Sequence, residues 1–571
     1  MTDTVLTTES DVAVKDPDRN WKIARNCLLE GGVYLAVFLV TAILCFTLKP
    51  LINYYRAGVV AKCVMAVALG ACIVFIAYMG ATKRLKTRHI ILLILAVGYI
   101  MRVGYMLYTP AGTRQHDTYS SNYNGHEAYA WTIFETGALP THNEYQFYHP
   151  PLNAMIQAWF MRMVNGFTSL FKGNWFPDAF SYGSPTYTRN GKKLLIVDNQ
   201  RYFLYGSCQI LSVLYSFITA VTLMKIIKLF HFSEKNYLFL SGFAVLFPRH
   251  IQFAGMLNND PLSYMFAMLA LYFALRWWKG NKSLVYIILC AFAVGLGMMA
   301  KLSSATICLP IAGIFIYEFI RTLRKKEGAL SLLEMIAQYG IFLCICAPIG
   351  LWFQVYAHQR FGQEFGSVFS KLNSKLYTGD ESIWGRFGIT FNLNEYFASL
   401  FCRPFEDTAS GLQGNYNLFN YLVKSSIFGE FSYWNGEGFG LLALLFAYMG
   451  TAFLTIGVIW CIVLWWKKTK ASEGTTYAPS RESVQNLLFI FLLVASQIFS
   501  EMYFYAKMPY ACTMDFRYIL PLILGIALAV GTVGETLVSS GGALACKFTV
   551  WLYILAGGLI VSSTLFYCVC I

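Results

Sequence analysis

The chain has 571 residues, 57% of them hydrophobic and only 13% charged, with a mean hydropathy of +0.51. Soluble domains carry about 25% charged residues, so a soluble globular fold is excluded and a polytopic membrane protein remains. The net charge is +14, but the basic residues gather in short loops between apolar runs, as membrane orientation requires; no nucleic-acid motif accompanies them, and no nucleic-acid partner is expected.

The apolar runs are helix-length and not the roughly ten-residue alternating segments of a membrane barrel. The expected fold class is therefore an all-α polytopic membrane protein. Residues 1–26 are polar, with Lys15, Arg19, Lys22 and Arg25, and are expected in the cytoplasm with no cleavable signal peptide. Two spans, 27–49 and 59–81, make a hairpin closed by KRLKTR (83–88), the densest short basic loop. A third span, 89–109, delivers the chain to the opposite side of the membrane.

There the stretch from 114 to 152 reads RQHDTYSSNYNGHEAYAWTIFETGALPTHNEYQFYHPPL. It holds His116, His126, His142 and His149 together with Asp117, Glu127, Glu135 and Glu144. The whole outer loop, 110–200, is too long to be a plain connection. It is expected to contain helices over 125–137 and 151–171, then turns and short strands over 172–200. In the second helix Leu152, Met155, Ile156, Trp159, Phe160, Met163 and Val164 recur at helical spacing, which suits an interfacial helix or one packed on the bundle.

Spans at 203–224, 236–254, 261–278, 283–300, 304–320 and 334–354 follow, with the basic RTLRKK (321–326) on the inner side. A second large outer region, 355–436, is rich in Phe, Tyr, Gly and Asn and is expected to be folded. Four more spans, 438–466, 485–505, 518–536 and 548–569, complete a count of about thirteen. The implied divisions are 1–26, the hairpin 27–88, a module 89–354, the outer region 355–436 and the C-terminal helices 437–571. Of the fifteen cysteines none has zinc-finger or redox spacing; Cys402 and Cys512 fall outside and are candidates for a disulfide.

With this parity Asp117, Glu127, His149, Asp260, Lys301, Asp515 and Arg517 share the outer face. Ionisable residues at membrane level are costly and tend to mark sites. Acids and bases on one face suit a reaction in which one group takes a proton and another group gains negative charge. Each residue also has a structural reading. Asp117 could cap a loop or pair with Arg114, His149 could fix the proline turn, and Asp260 could start a helix at Pro261. Lys301 could snorkel, and Arg517 could pair with Asp515. Glu30 and Glu501 read as paired structural acids. The histidines lack the spacing of a helical zinc motif. Tyr145, Phe147 and Tyr148 could stack on a sugar.

Asp117, followed about thirty residues later by His149-Pro150-Pro151-Leu152 in a first outer loop, resembles the protein O-mannosyltransferases and their bacterial relatives, members of the GT-C superfamily that also includes the lipid A aminoarabinose transferases. NNDPLSYMFAMLAL (258–271), GLGMMAKLSSATICLP (295–310) and FRYILPL (516–522) extend the likeness, which covers 89–310 well and the rest loosely. The chain departs from the family in having Thr118 after Asp117, where an Asp-Glu pair is usual, and in its preceding hairpin.

The resemblance implies a GT-C type bundle with two large extracytoplasmic loop regions, in a plasma membrane and with its active site outside. It implies an inverting glycosyltransferase that uses a polyprenyl-phosphate-linked sugar donor and a protein, lipid or glycan acceptor. Asp117 is the expected catalytic base. His149, Asp260, Lys301, Arg517, Glu127 and Tyr148 are the expected substrate-binding residues. No cofactor is required by the sequence; a divalent metal, held by Asp260 for example, is left open, and membrane lipids are expected partners. A flippase of lipid-linked sugars is the alternative, but it would show two related halves and none is legible. A surface-polysaccharide ligase or polymerase would share the same site.

Overall fold

A computed structural model describes residues 17–54, 58–119, 125–143, 145–170, 186–189, 192–196, 199–326, 329–366, 382–388, 396–397, 399–404, 417–433, 435–471 and 481–570. Expectations for 1–16, the turns at 171–185, Glu144 and most of 367–416 lie outside the described residues, as do those for the side chain of Tyr145. The described chain is a helical bundle with one short antiparallel hairpin, Thr186–Arg189 against Lys192–Ile196.

Among the described residues ten helices are long and apolar enough to cross a membrane, so the chain is a multi-pass membrane protein. The expected thirteen is not reached because three expected spans are of another kind. The first, 236–254, is broken: a helix over Glu234–Val245 stops before Pro248, and a short Pro248–Gln252 helix follows. The second, Asp260–Lys279, ends in the polar RWWK. The third, Leu284–Ala300, has 17 residues. The first two lie within the bundle, with Trp277 and Trp278 fully buried, whereas the third buries one face and leaves Leu284, Val285, Leu289 and Phe292 exposed. Helices covered by protein need not match the thickness of the lipid, and interrupted backbone is tolerated there if its polar groups are paired.

The break at Pro248 shows how. Proline stops the ladder, leaving carbonyls of the preceding turn without partners. The buried guanidinium of Arg102, with no carboxylate partner among the described residues, donates to the Val245 carbonyl at 3.0 Å, to Gly98 O at 2.8 Å and to Ser216 Oγ at 2.8 Å. His250 stands 2.9 Å from the same guanidinium and 3.1 Å from the Ser216 carbonyl. A positive charge at a helix C-terminus is favourable in itself.

The N-terminal hairpin, Pro17–Tyr54 and Gly58–Ala81, is peripheral: only 17% and 6% of its apolar windows are buried. Leu35, Ile43, Val67 and Ile73 face outward. Glu30 pairs with Lys225 at 2.6 Å, as the structural reading expected, and Lys49 donates to Gln209. The interior of the first outer loop holds helices His126–Thr136 and Leu152–Leu170. Arg162 closes the first by donating to the Phe134 carbonyl at 2.7 Å. The second buries Ala154, Ala158 and Met161 and presents Met155, Trp159, Met163 and Phe167 outward. That stripe recurs every four residues, so the helix is packed on one side and apolar on the other, as an interfacial helix requires. The considered disulfide between Cys402 and Cys512 is not formed among the described residues.

Candidate active site

Three segments, around Asp117, Asp260 and Asp515–Arg517, meet at the same end of the bundle. The turn after the broken helix, Met256–Asn259, is pinned by Ser212 Oγ on the Met256 carbonyl at 2.5 Å. Gln157 and Tyr205 donate to the Leu257 carbonyl at 2.6 and 3.1 Å. Gln115 donates to the Gly255 carbonyl at 2.7 Å and accepts from Leu257 N–H at 3.0 Å. Two residues before Asp117, it therefore locks the first loop to the turn that carries Asp260.

Asp117 itself is exposed and has φ +52, a left-handed conformation uncommon outside glycine, though Asp and Asn visit it most readily. Its carbonyl accepts from His126 N–H at 3.0 Å, and that of Thr118 accepts from Glu127 N–H at 2.9 Å. A Cβ at Gly125 would stand 2.4 Å from the Thr118 carbonyl oxygen, so only glycine lets the helix start close enough to hold the loop. Arg114 turns away: it donates to the Tyr108 carbonyl at 2.7 Å and lies 3.9 Å over the Tyr108 ring.

Asp260 opens the Asp260–Lys279 helix, with Pro261 in its first turn. It receives Lys301 Nζ and, at 2.8 Å, Asn258 Nδ2, with an Arg517 nitrogen 3.9 Å away. Burial raises its carboxyl, but the Lys301 and Arg517 charges outweigh it and hold it down at about 2. Lys301 ends the Leu284–Ala300 helix and sits 4.9 Å over the Tyr518 ring; burial lowers its ammonium despite Asp260. Arg517 donates to Tyr518 Oη at 2.9 Å and lies 3.6 Å from Asp515. Asp515 caps the Phe516–Ile519 turn through Arg517 N–H at 3.0 Å. Asp260 starts its helix and Arg517 lies against Asp515, as their structural readings expected, whereas Lys301 is buried against Asp260 and does not snorkel; these pairs gather the two cations.

Asp515 is also the 2.5 Å partner of Arg249, both fully buried. His116 stands between two acids, Nδ1 3.4 Å from Glu430 and Nε2 3.6 Å from Asp515. Burial and the Arg517, Arg249 and Lys301 charges push its imidazole well down, leaving it neutral. Burial and then Asp515 push Glu430 up to about 8. These three residues place ligand atoms within 4.8 Å of one another. The two imidazole nitrogens face different acids, however, and Arg249 occupies the Asp515 oxygen. A transition metal needs one nitrogen and the carboxylates converging at about 2 Å, so this arrangement fits an arginine-compensated acid pair and not a metal.

His149 stacks on His126 with centroids 5.8 Å apart. Both are pushed down to about 3, His126 by burial and then by Lys301 and Arg517, His149 by burial and then by His126 and Lys301. His149 Nδ1 is buried with no hydrogen bond among the described residues. Glu127 is drawn away into a two-pronged ion pair with Arg201, whose Nη2 is 2.7 Å from it. Tyr148 is buried, and Phe147 packs on Tyr129 at 5.1 Å. Glu501 is buried near the cations, and its Oε1 has no hydrogen-bond partner among the described residues.

Sequence reasoning thus placed Asp117, His149, Asp260, Lys301 and Arg517 in one region. It missed His116, His126, Glu430 and Arg249 as members. His116 adjoins Asp117 and Arg249 is a charge within an apolar stretch, so both carried a signal. Glu430 sits in a Phe- and Gly-rich stretch with none.

The family described as dolichyl-phosphate-mannose-protein mannosyltransferase matches residues 206–352. Over that segment the chain is similar to those mannosyltransferases. The matched segment carries Arg249, Asp260 and Lys301. Among solved structures, ArnT from Cupriavidus metallidurans in the apo state is 11% identical, with a TM-score of 0.33 over 78% of this chain and 77% of that one. The structure of ArnT from the same organism bound to undecaprenyl phosphate is 13% identical, with a TM-score of 0.31 over 79% and 78%. No curated protein matches the chain.

Proposed function

We propose that this mannosyltransferase-like chain is an inverting glycosyltransferase that moves one sugar from a polyprenyl-phosphate donor to an acceptor hydroxyl on the extracytoplasmic face. The observation that carries the reading is the meeting of two cations, Lys301 and Arg517, beside the loop that holds Asp117. A leaving phosphate needs cations or oriented donors where its charge develops, and the attacking hydroxyl needs a base.

In this mechanism the acceptor oxygen forms a bond to the anomeric carbon from the face opposite the phosphate. Its proton passes to the Asp117 carboxylate. The bond between the anomeric carbon and the phosphate oxygen breaks, and polyprenyl phosphate leaves with the electron pair. Asp260 holds Lys301, Asp515 holds Arg517, and the neutral His149 offers a ring nitrogen to a sugar or phosphate oxygen. Glu127 and Tyr148 act by holding the loop. The catalytic module is residues 89–354, preceded by the hairpin 27–88, with the outer region 355–436 and the helices of 437–571 supplying Glu430, Asp515 and Arg517. The basic loops 83–88 and 321–326 flank helix ends away from the site, which supports an outer location.

The test is transfer by purified protein in nanodiscs, with radiolabelled polyprenyl-phosphate sugars as donors and membrane extract as acceptor. Assays run with and without chelator also test the divalent metal, which the reading does not require. Consumption of donor with appearance of labelled, inverted product supports the reading. Intact donor that instead crosses proteoliposome membranes contradicts it.

A further inference from the structure

Along the Pro17–Tyr54 helix the buried residues recur every four positions: Thr41, Cys45 and Lys49 are 0%, 2% and 6% exposed. Thr41 Oγ1 meets Tyr99 Oη at 2.9 Å, and Phe46 packs on Phe203 with ring centroids 6.0 Å apart. Lys49 stands out on this face, because an ammonium at membrane level is costly and tends to mark a site. Among the described residues it has no carboxylate partner, and its hydrogen bond goes to Gln209 Oε1.

Gln209 accounts for the lysine. Fully buried, it donates from Nε2 to the Thr109 carbonyl at 2.7 Å and to the Gly255 carbonyl at 2.5 Å. Carbonyls only accept, so these two fix which end of the amide is nitrogen. The opposite end, an oxygen that only accepts, needs a donor, and Lys49 is that donor. The Gly255 carbonyl also accepts from Gln115, which in turn accepts from Leu257 N–H. One amide therefore ties Thr109, where the first outer loop leaves its helix, to Gly255 in the turn before Asp260, and through Gln115 to the segment that carries Asp117. A Cβ at Gly255 would stand 2.9 Å from the Tyr105 ring, so this close approach of the turn requires glycine.

We propose that the N-terminal hairpin is a positioning element of the active site and that Lys49 is the residue through which it acts. By holding the Gln209 amide, Lys49 sets the Asp117 loop against the turn that carries Asp260. Without Lys49, Gln209 Oε1 is buried with no donor, which is costly. The amide relieves this only by turning or withdrawing, and either movement releases the Thr109 and Gly255 carbonyls. The catalytic consequence rests on the transfer reading above; the contact itself does not.

The experiment uses Lys49→Met in nanodiscs, which removes the donor and keeps an unbranched stem. A buried ammonium without a counter-ion costs stability, so an apolar replacement is expected to leave the fold intact; Lys49→Leu serves if the first variant is not monodisperse. Hydrogen exchange, which needs no substrate, is expected to quicken about tenfold at the amides of Leu257, His126 and Glu127, which bond to Gln115, Asp117 and Thr118. Exchange in the Leu522–Ser539 helix should stay native. kcat is expected to fall about tenfold, as misplacement of reacting groups causes, with donor KM moved less than about threefold. Gln209→Met should give the same loss, and the double variant no further one. Thr41→Ala, two turns below Lys49 on the same face, should leave both readouts near native. Unchanged exchange or unchanged kcat in the folded Lys49 variant overturns the proposal. Losses that multiply in the double variant, or Thr41→Ala acting as strongly as Lys49→Met, overturn it equally. If the native protein consumes no donor, the transfer reading falls, while exchange still decides whether Lys49 holds the loop.

Discussion

Arg249 and Asp515 are joined at 2.5 Å with neither side chain exposed, and replacing Arg249 by Met tests whether this pair organises the site. The change keeps the length and apolar stem but leaves Asp515 buried with one partner fewer. Breaking a buried pair costs about 3–5 kcal/mol because the remaining charge is uncompensated. Arg517 and His116 each stay 3.6 Å from the same oxygen, so the expected cost is at the lower end, about 3 kcal/mol. Removing both charges, as Arg249→Met with Asp515→Leu, abolishes the burial penalty. The double variant is therefore expected to recover at least about half of the loss. Equilibrium unfolding in mixed micelles at rising denaturing-detergent fraction, followed by tryptophan fluorescence, gives all four corners of the cycle. Single variants that each cost under about 1 kcal/mol and add in the double would refute the argument.

Lys301→Gln is expected to lower kcat about 100-fold through loss of phosphate stabilisation and to lower thermal stability by stranding Asp260. Adding Asp260→Asn should restore the stability and leave kcat low. Recovery of both together would show that Lys301 acts only as a structural partner. Gly125→Ala puts a Cβ 2.4 Å from the Thr118 carbonyl oxygen, so it should displace Asp117 and cut turnover at least about tenfold, as small misplacements of reacting groups do. Unchanged turnover would dissociate the loop anchor from catalysis. His126 and His149 lie near 3 in the folded protein against 6.5 when unfolded, so they contribute stability above pH 6.5 that is lost as pH falls toward 3. Glu430 runs oppositely, raised from 4.5 to about 8; its contribution is full below 4.5 and lost as pH rises toward 8. The histidines outnumber it, so Tm should be lower at pH 5 than at pH 7. Glu430→Gln should steepen that drop and His149→Gln should shrink it, as read by differential scanning fluorimetry; a flat profile would contradict the burial of neutral imidazoles.

The helical membrane bundle was legible because composition and long apolar runs leave little else, and the outer residues were legible because charge near a membrane is costly. The broken helix at Pro248 was not, because an apolar window does not register that Arg102 donates to the Val245 carbonyl beside the break. The count of about thirteen is not reached by the ten membrane-length apolar helices among the described residues, because Leu284–Ala300 has only 17 residues and the stretch around Pro248 is interrupted. Partner choice was the least legible. Glu127 reads as one more acid in a polar loop until Arg201, 74 residues on, takes it. Asp515 reads as the neighbour of Arg517 until Arg249 arrives from 266 residues away. Such pairings depend on tertiary proximity and leave no local spacing in the chain.

The most direct measurement is donor turnover by Asp117→Asn beside the native protein. Asn tolerates the left-handed backbone at φ +52, and the side chain is exposed, so stability and donor binding should be unchanged while the base is lost. The account predicts that turnover falls to about 1% or less, with Tm and donor affinity intact. More than a tenth of native turnover in a folded, donor-binding variant would remove Asp117 from the base role and contradict the proposed mechanism.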